Sequence, residues 1–206
     1  MLTLSVIIIV VMLVFIFAMK IFQNSIVGYI GEKHTANIIK RVTRGIIYTD
    51  VYVNGSYGAQ QIDIVAITTK GVLVVEKKTY IGLIVGSASS KQWKVYVNRG
   101  RQQYDMKNPH HQNFGHIQAL CECCPSMKNK CIDLVVFGNN AKLGDNIPQG
   151  TINDADFRKY YKSLPEMLSQ RDIENFIDFM NGLQTQKSIN KDMHKKKIKS
   201  MKGRWD

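Results

Sequence analysis

Residues 61–78 read QIDIVAITTKGVLVVEKK and contain two apolar, β-branched runs separated by a Thr-Thr-Lys-Gly break. Such runs on either side of a turn signal predict a β-hairpin. If Thr69 and Lys70 form a two-residue turn, Asp63 falls directly opposite Glu76. Opposed carboxylates have Cβ atoms about 5 Å apart and repel each other, so a sheet normally avoids this pair. The hairpin therefore places charge where a buried strand does not usually carry it.

A hard divalent cation between Asp63 and Glu76 is the simplest explanation, because Mg²⁺ commonly takes one or two protein carboxylates plus substrate phosphates. Alternation puts Lys78 on the Glu76 face and turns Lys77 away. In the alternative register, a three-residue turn including Gly71 places Lys77 beside Asp63 and leaves an ordinary ion pair. Strand ends also carry charges simply because they emerge into solvent. The first register predicts two carboxylates and an amine at one end of the hairpin.

The sequence around the hairpin contains an ordered series of residues that covers a little under half of the chain. The series is Gly31-Glu32, Gln61-Ile62-Asp63, Gly71-Val72, Val75-Glu76-Lys77-Lys78, Tyr80, Gly82, Gly86, Trp93, Asn108-Pro109, Gln112 and His116. It resembles the nuclease-related domain NERD, a branch of the PD-(D/E)xK nuclease superfamily. The chain departs from the family at Lys77, where a small or polar residue is usual, and at Thr79, where Asn is usual. The extra positive charge of Lys77 is expected to change the electrostatics of the carboxylate site.

The resemblance implies an α/β fold with a restriction-endonuclease-like central mixed sheet flanked by helices. It also implies Mg²⁺, or Mn²⁺ in its place, bound by Asp63 and Glu76. Lys78 would orient or activate the attacking water and stabilise charge on the phosphoryl oxygens.

Two helices are expected to support this site. Glu32 is predicted to begin the first helix, where the helix dipole favours a carboxylate, and the family implies that it is an auxiliary acid. Asn108 and Pro109 predict the N-cap and first turn of a second helix. Gln112 and His116 then lie one turn apart on one face. The family implies a supporting role for Gln112, whereas we expect His116 to face solvent.

Residues 1–22 predict one transmembrane helix that precedes the α/β domain. Positions 1–19 hold no charged residue, and about 20 apolar residues span a bilayer core. A basic n-region and a small-residue cleavage site are missing from the sequence, so we expect a retained anchor, with a signal peptide as the alternative. Basic residues follow the span, which predicts a single-pass protein of the cell membrane with a cytoplasmic body. The crowded Cys121, Cys123, Cys124 and Cys131 suit a reducing compartment.

Much of the net charge of +12 lies in the C-terminal tail. Residues 184–206 combine many lysines with few acids, which predicts disorder. The tail is expected to bind polyanions, either nucleic acid or anionic lipid, or to remain solvated without a partner. The predicted nucleic-acid contacts are Lys77, Arg99, Arg101, Lys195, Lys196 and Lys197.

The sequence thus predicts an anchor (1–22), a connector (23–30), a nuclease-like core (31–124), a C-terminal completion of the α/β domain (125–183) and a basic tail (184–206). The function expected is membrane-anchored, Mg²⁺-dependent hydrolysis of phosphodiester bonds in DNA. A second hypothesis is an inactive, membrane-tethered nucleic-acid-binding module, and a third is a lipid-surface scaffold. The sequence shows no phosphate-binding Gly-rich loop and no Ser-His-Asp or Cys-His pattern, which argues against nucleotide hydrolases and serine or cysteine hydrolases.

Overall fold

The computed structural model describes residues 2–56 and 58–202, except for the side chains at positions 2–5, 7, 8, 18, 20–22, 24, 25, 201 and 202. The α-helices are α1 (Leu2–Thr43), α2 (Pro109–Cys123), α3 (Phe157–Ser163), α4 (Gln170–Thr185) and α5 (Lys187–Lys202). The strands are β1 (Ile46–Gly55), β2 (Gly58–Thr68), β3 (Gly71–Lys78), β4 (Gly82–Val85), β5 (Gln92–Val97), β6 (Gln102–Lys107), β7 (Cys131–Phe137), β8 (Ala141–Leu143) and β9 (Thr151–Asn153).

The hairpin of β2 and β3 has the register predicted from a two-residue turn. Thr68 pairs with Gly71, and the antiparallel ladder continues to Ile64 opposite Val75. Thr68 Oγ1 donates a hydrogen bond to the Gly71 carbonyl oxygen at 2.9 Å, which closes the turn. The alternative register, with Lys77 beside Asp63, is therefore wrong.

The strands form two sheets rather than the single central sheet that was predicted. The first has the order β1-β2-β3-β7-β9, antiparallel from β1 to β3 and parallel from β3 to β9. The second has the order β6-β5-β4-β8. The predicted α/β class with a mixed sheet flanked by helices is confirmed, and the second sheet is an addition to it.

Helices cover both faces of the first sheet because its central strands are apolar on both sides. One face packs on α2 and α4 through residues such as Val65, Leu120 and Phe176. The opposite face packs on α1 and α3 through residues such as Ile39 and Phe157. A third cluster joins the second sheet to β7, and its members include Ile84, Trp93 and Phe137.

Helix α1 differs from the prediction at its start. It runs without a break from Leu2 to Thr43, so the predicted connector 23–30 is helical and Glu32 lies inside the helix. An N-terminal dipole therefore does not account for Glu32. Within the part of the chain that the structure describes, no helix meets the length and apolarity required for a membrane span. The predicted anchor 1–22 includes Met1 and several side chains that lie outside the described residues.

The predicted disorder of the tail is wrong for Lys187–Lys202, which form α5. The helix docks on the β1–β2 hairpin through polar contacts. The side-chain amide of the buried Asn190 donates to the Tyr52 carbonyl oxygen at 3.3 Å, and His194 Nδ1 lies 3.0 Å from the Ala59 carbonyl oxygen. Lys187 Nζ lies 3.3 Å from Asp50 Oδ2. The composition of the tail did not predict this order, because the segment is held by hydrogen bonds to strand carbonyls, by an acidic residue of β1 and by the His194 ring packed on Tyr52.

Candidate active site

The two strand carboxylates meet as the hairpin register predicts. Ile64 pairs with Val75, so the same register puts Asp63 opposite Glu76. Lys77 donates its backbone N–H to Asp63 Oδ2 at 2.8 Å, and the Glu76 side chain is only 3% exposed. Burial, and then the charges of Glu76 and Glu32, raise the pKa of Asp63 well above its ordinary value. The fold therefore disfavours the ionised form of the Asp63 side chain.

Glu32 approaches this pair from α1. Burial, and then the charges of Asp50 and Glu76, raise the pKa of Glu32. Asp50 lies in β1 with φ of 53°, in the left-handed region that a non-glycine residue seldom adopts. Its neighbours in β1 pair with Ile64 and Ile62 of β2, so Asp50 lies opposite Asp63. Acidic residues therefore occupy matching positions on three adjacent strands, and Glu32 lies close enough to Asp50 and Glu76 for their charges to act on it.

Lys78 emerges on the Glu76 side of β3, as alternation predicts. Its Nζ lies 2.6 Å from Glu76 Oε1 and donates to Gln112 Oε1 at 3.2 Å. Gln112 reaches this point because Asn108 caps α2: the Asn108 side chain accepts the His110 backbone N–H, and Pro109 occupies the first turn. The cap therefore fixes where α2 begins over the sheet, and α2 presents Gln112 to the lysine.

His116 is buried, so the expectation that it faces solvent is wrong. Its side chain is 4% exposed, and Nε2 lies 3.3 Å from Glu76 Oε2. The contact lacks hydrogen-bond geometry, and within the described residues Glu76 Oε2 and both ring nitrogens of His116 have no hydrogen-bond partner. The spacing of Gln112 and His116 on one face was predicted correctly. That this face packs on β3, and not against water, depends on the tertiary fold.

Lys77 points to the opposite face of the sheet, away from the acidic cluster, and its contact with nucleic acid stays a prediction. Its Nζ lies 2.6 Å from Asp154 Oδ2, and the two side chains are 2% and 5% exposed. Thr35 Oγ1 of α1 donates to the other carboxylate oxygen of Asp154 at 2.6 Å. The cation that departs from the family pattern is therefore neutralised away from the acidic cluster, and Lys78 is the lysine that faces the carboxylates.

The acidic cluster fits a hard divalent cation by its donor chemistry. Asp63 and Glu76 provide carboxylate oxygens, and Glu76 Oε2 is buried without a hydrogen-bond partner. A buried polar atom without a partner costs about 1–3 kcal/mol, which a bound cation offsets. Across the described residues, no three or more His, Cys, Asp or Glu side chains form a group that could hold a metal. Mg²⁺ needs only one or two protein carboxylates when waters or phosphates complete its shell, so the pair is sufficient.

The other predicted basic contacts lie away from the acidic cluster. Arg99 and Arg101 are exposed at the turn between β5 and β6, where Arg99 has φ of 58°. Lys195 and Lys196 are exposed on α5. Lys197 donates to the Ala59 carbonyl oxygen at 3.3 Å and so also holds α5 on the hairpin. Their roles in binding nucleic acid stay predictions.

Sequence reasoning missed Asp50, and it missed the partner of Lys77. The signal for Asp50 was available, since the strand before the hairpin pairs with β2 and carries an acid at the matching position. Asp154 offered no comparable signal, because it lies 77 residues from Lys77 in the chain.

Comparisons with known proteins identify the family of the chain. The family model "Nuclease-related domain" (NERD) matches residues 27–138, just over half of the 206 residues. An uncharacterized protein of Bacillus anthracis is 33% identical over 119 residues, which are 56% of this chain and 55% of that protein. The chain therefore spans about half the length of the curated relative it matches. No solved structure matches the chain significantly. With the family motifs in the middle of β2, at the end of β3 and in α2, and with the family model covering more than half of its length, this chain belongs to the nuclease-related domain family.

Proposed function

We propose that the protein is a metal-dependent nuclease that hydrolyses phosphodiester bonds in DNA. One observation carries this proposal: Asp63 and Glu76 occupy opposed strand positions, and the Nζ of Lys78 lies 2.6 Å from Glu76 Oε1 on the same side. Opposed buried carboxylates destabilise a sheet, so their retention is best explained by a cationic ligand and a charged substrate.

Each side chain then has a distinct task. Asp63 and Glu76 would hold Mg²⁺, which when bound supplies Lewis acidity and lowers the pKa of a coordinated water. Lys78 places a positive charge where the phosphoryl oxygens gain negative charge, and Gln112 fixes its position through the 3.2 Å hydrogen bond. Glu32 adds a carboxylate whose pKa is raised by burial and by the charges of Asp50 and Glu76, and a carboxyl group placed beside the reacting water can accept or return a proton.

The first test replaces Lys78 with Ala in the full chain. We expect cleavage of supercoiled plasmid and linear DNA in Mg²⁺ or Mn²⁺, none in EDTA, and at least about a hundredfold slower cleavage by Lys78→Ala, since removing one preorganised charge or donor costs that much. The control is Lys159→Ala, which removes an exposed lysine on α3. Cleavage that persists in Lys78→Ala would contradict the residue assignment.

A second function is favoured by one observation. Lys78 Nζ lies 2.6 Å from Glu76 Oε1. This contact is also expected if the two side chains form an ion pair that only stabilises the fold. A nucleic-acid-binding module that does not cut predicts DNA retention that weakens with salt, and no metal-dependent products in the same assay.

We also propose that residues 1–22 anchor the protein in the cell membrane as a single pass, with the body in the cytoplasm and the basic α5 near anionic lipid. The described side chains of residues 9–17 are all apolar and between 53% and 67% exposed, and positions 1–19 carry no charge.

The anchor is tested by replacing Val11 and Leu13 with Lys. Each charge at a span centre costs about 2.5–3.5 kcal/mol of insertion. We expect the wild-type chain to stay with membranes after alkaline carbonate extraction, and the double variant to be released. A reporter enzyme fused to the C-terminus should be active if it is one that works in the cytoplasm, and inactive if it is one that works only after export. Release of the wild-type chain by carbonate would contradict the proposal.

A further inference from the structure

Three surface hollows that share lining residues lead from Lys78 across the second sheet. The first is a hollow of about 390 Å³ between α1 and the end of β3, lined by Val27, Lys77, Lys78, Thr79 and Tyr80. A second hollow of about 490 Å³ shares Thr79 and Tyr80 with the first. A third, of about 480 Å³, shares Asn98 and Gln102 with the second. We call this the sheet groove; it runs from Lys78 past Tyr80 and Tyr104 to Arg99 and Arg101.

The middle of the sheet groove exposes two aromatic rings. Tyr80 is 40% exposed and Tyr104 is 53% exposed, and both line the second hollow. The Tyr104 hydroxyl donates to Gln102 Oε1 at 3.3 Å, and the same oxygen accepts the Asn98 side-chain amide at 2.9 Å. Gln102 thereby ties the Tyr104 ring to the turn that carries Arg99. An exposed, held aromatic ring is a platform on which a nucleobase can stack.

The far end of the sheet groove is positively charged. Residues 79–107 contain five basic side chains (Lys91, Lys94, Arg99, Arg101 and Lys107) and one acid, Asp105. Asp105 Oδ1 lies 3.1 Å from Lys94 Nζ, so that acid is already paired. Arg99 and Arg101 are exposed and line the third hollow. This end of the groove therefore attracts phosphates.

We propose that the sheet groove binds single-stranded nucleic acid, with bases stacked on Tyr80 and Tyr104 and phosphates at Arg99 and Arg101. A duplex keeps its base faces inside its own stack, whereas a single strand offers them to aromatic side chains. The inference rests on the proposed function in one respect, since the bound strand is the one whose phosphate reaches Lys78. The substrate class of the nuclease is then DNA with a single-stranded end or gap.

The test measures binding in EDTA, where the proposed cleavage cannot occur. The full chain is titrated against fluorescein-labelled oligothymidylate, an abasic oligomer of equal length and a blunt duplex. Tyr104→Leu removes one ring and Tyr104→Phe keeps it. Phe114→Leu is the matched control, because Phe114 is 61% exposed on α2. We expect oligothymidylate to bind more tightly than the other two probes. Tyr104→Leu should weaken it about five- to a hundredfold. Tyr104→Phe keeps the ring but loses the hydrogen bond to Gln102, so it should weaken binding less than Tyr104→Leu does, and Phe114→Leu should leave binding unchanged.

The arginines provide an independent readout. Arg99→Ala should weaken all three probes and reduce the salt dependence of binding, because it removes a phosphate contact. Arg171→Ala removes an arginine at an exposed position on α4 and should change neither the affinity nor the salt dependence. Equal affinity for duplex and oligothymidylate, equal effects of Tyr104→Leu and Phe114→Leu, or no binding of oligothymidylate would overturn the inference. Binding that depends on Tyr104 without any cleavage in Mg²⁺ would contradict the nuclease proposal and support the groove assignment.

Discussion

Replacing Asp63 with Asn is expected to remove metal-dependent cleavage and, at the same time, to stabilise the metal-free protein at neutral pH. Asp63 is one of two strand carboxylates that would hold the cation. Losing several kcal/mol of transition-state stabilisation slows cleavage by at least about a thousandfold. Without metal, burial and the charges of Glu76 and Glu32 outweigh the Lys77 N–H hydrogen bond and the charge of Lys78, and so raise the pKa of Asp63. Activity and stability should therefore change in opposite directions.

The pH dependence follows from the direction of this shift. A raised pKa means that the folded state binds the Asp63 proton more tightly than the unfolded state does. The contribution to stability is complete below the unfolded pKa of about 3.9, and it is lost as pH rises through the folded pKa. Urea unfolding of the metal-free wild type and of Asp63→Asn should show a difference that grows in favour of the variant from pH 4 towards neutrality. Asp145→Asn, at an exposed position, is the control. A variant less stable than the wild type at neutral pH would refute the repulsion argument.

Replacing Asp154 with Ala is expected to destabilise the protein strongly while sparing the chemistry of the site. Lys77 Nζ lies 2.6 Å from Asp154 Oδ2, and both side chains are at least 95% buried. Removing one partner of a buried pair leaves an uncompensated charge and costs about 3–5 kcal/mol. In a chain of this size that lowers the melting temperature by about 10 °C. Cleavage well below the transition should stay near the wild-type rate, because Lys77 points away from Glu76.

A double variant separates charge burial from packing. Lys77→Met combined with Asp154→Leu replaces both charges by apolar groups, and such replacements of buried ion pairs are often neutral or stabilising. We expect it to recover most of the stability lost in Asp154→Ala, as measured by urea unfolding. Asp156→Ala, at an exposed position, should have little effect. If the double variant is as unstable as Asp154→Ala, the loss comes from packing around Thr35 and not from an unpaired lysine.

Features set by short-range pattern were predictable. The Thr69-Lys70 turn determined the register of β2 and β3, and alternation then placed Lys78 beside Glu76 and Lys77 on the other face. The Asn108-Pro109 start of α2 likewise followed from local capping preferences. In each case the decisive contacts lie within one hairpin or one helical turn, so neighbouring residues carry the information.

Other features depended on which elements pack together. His116 is polar and was expected to face water, but its helix face lies on Glu76. Asp154 reaches Lys77 across 77 residues of chain, and α5 is ordered by hydrogen bonds to strand carbonyls of the β1–β2 hairpin. The sequence by itself determined the hairpin, the position of its carboxylates and the family of the chain. Only the tertiary structure decided which polar side chains are buried and what neutralises them, because burial and pairing arise from contacts between segments that sequence distance does not reveal.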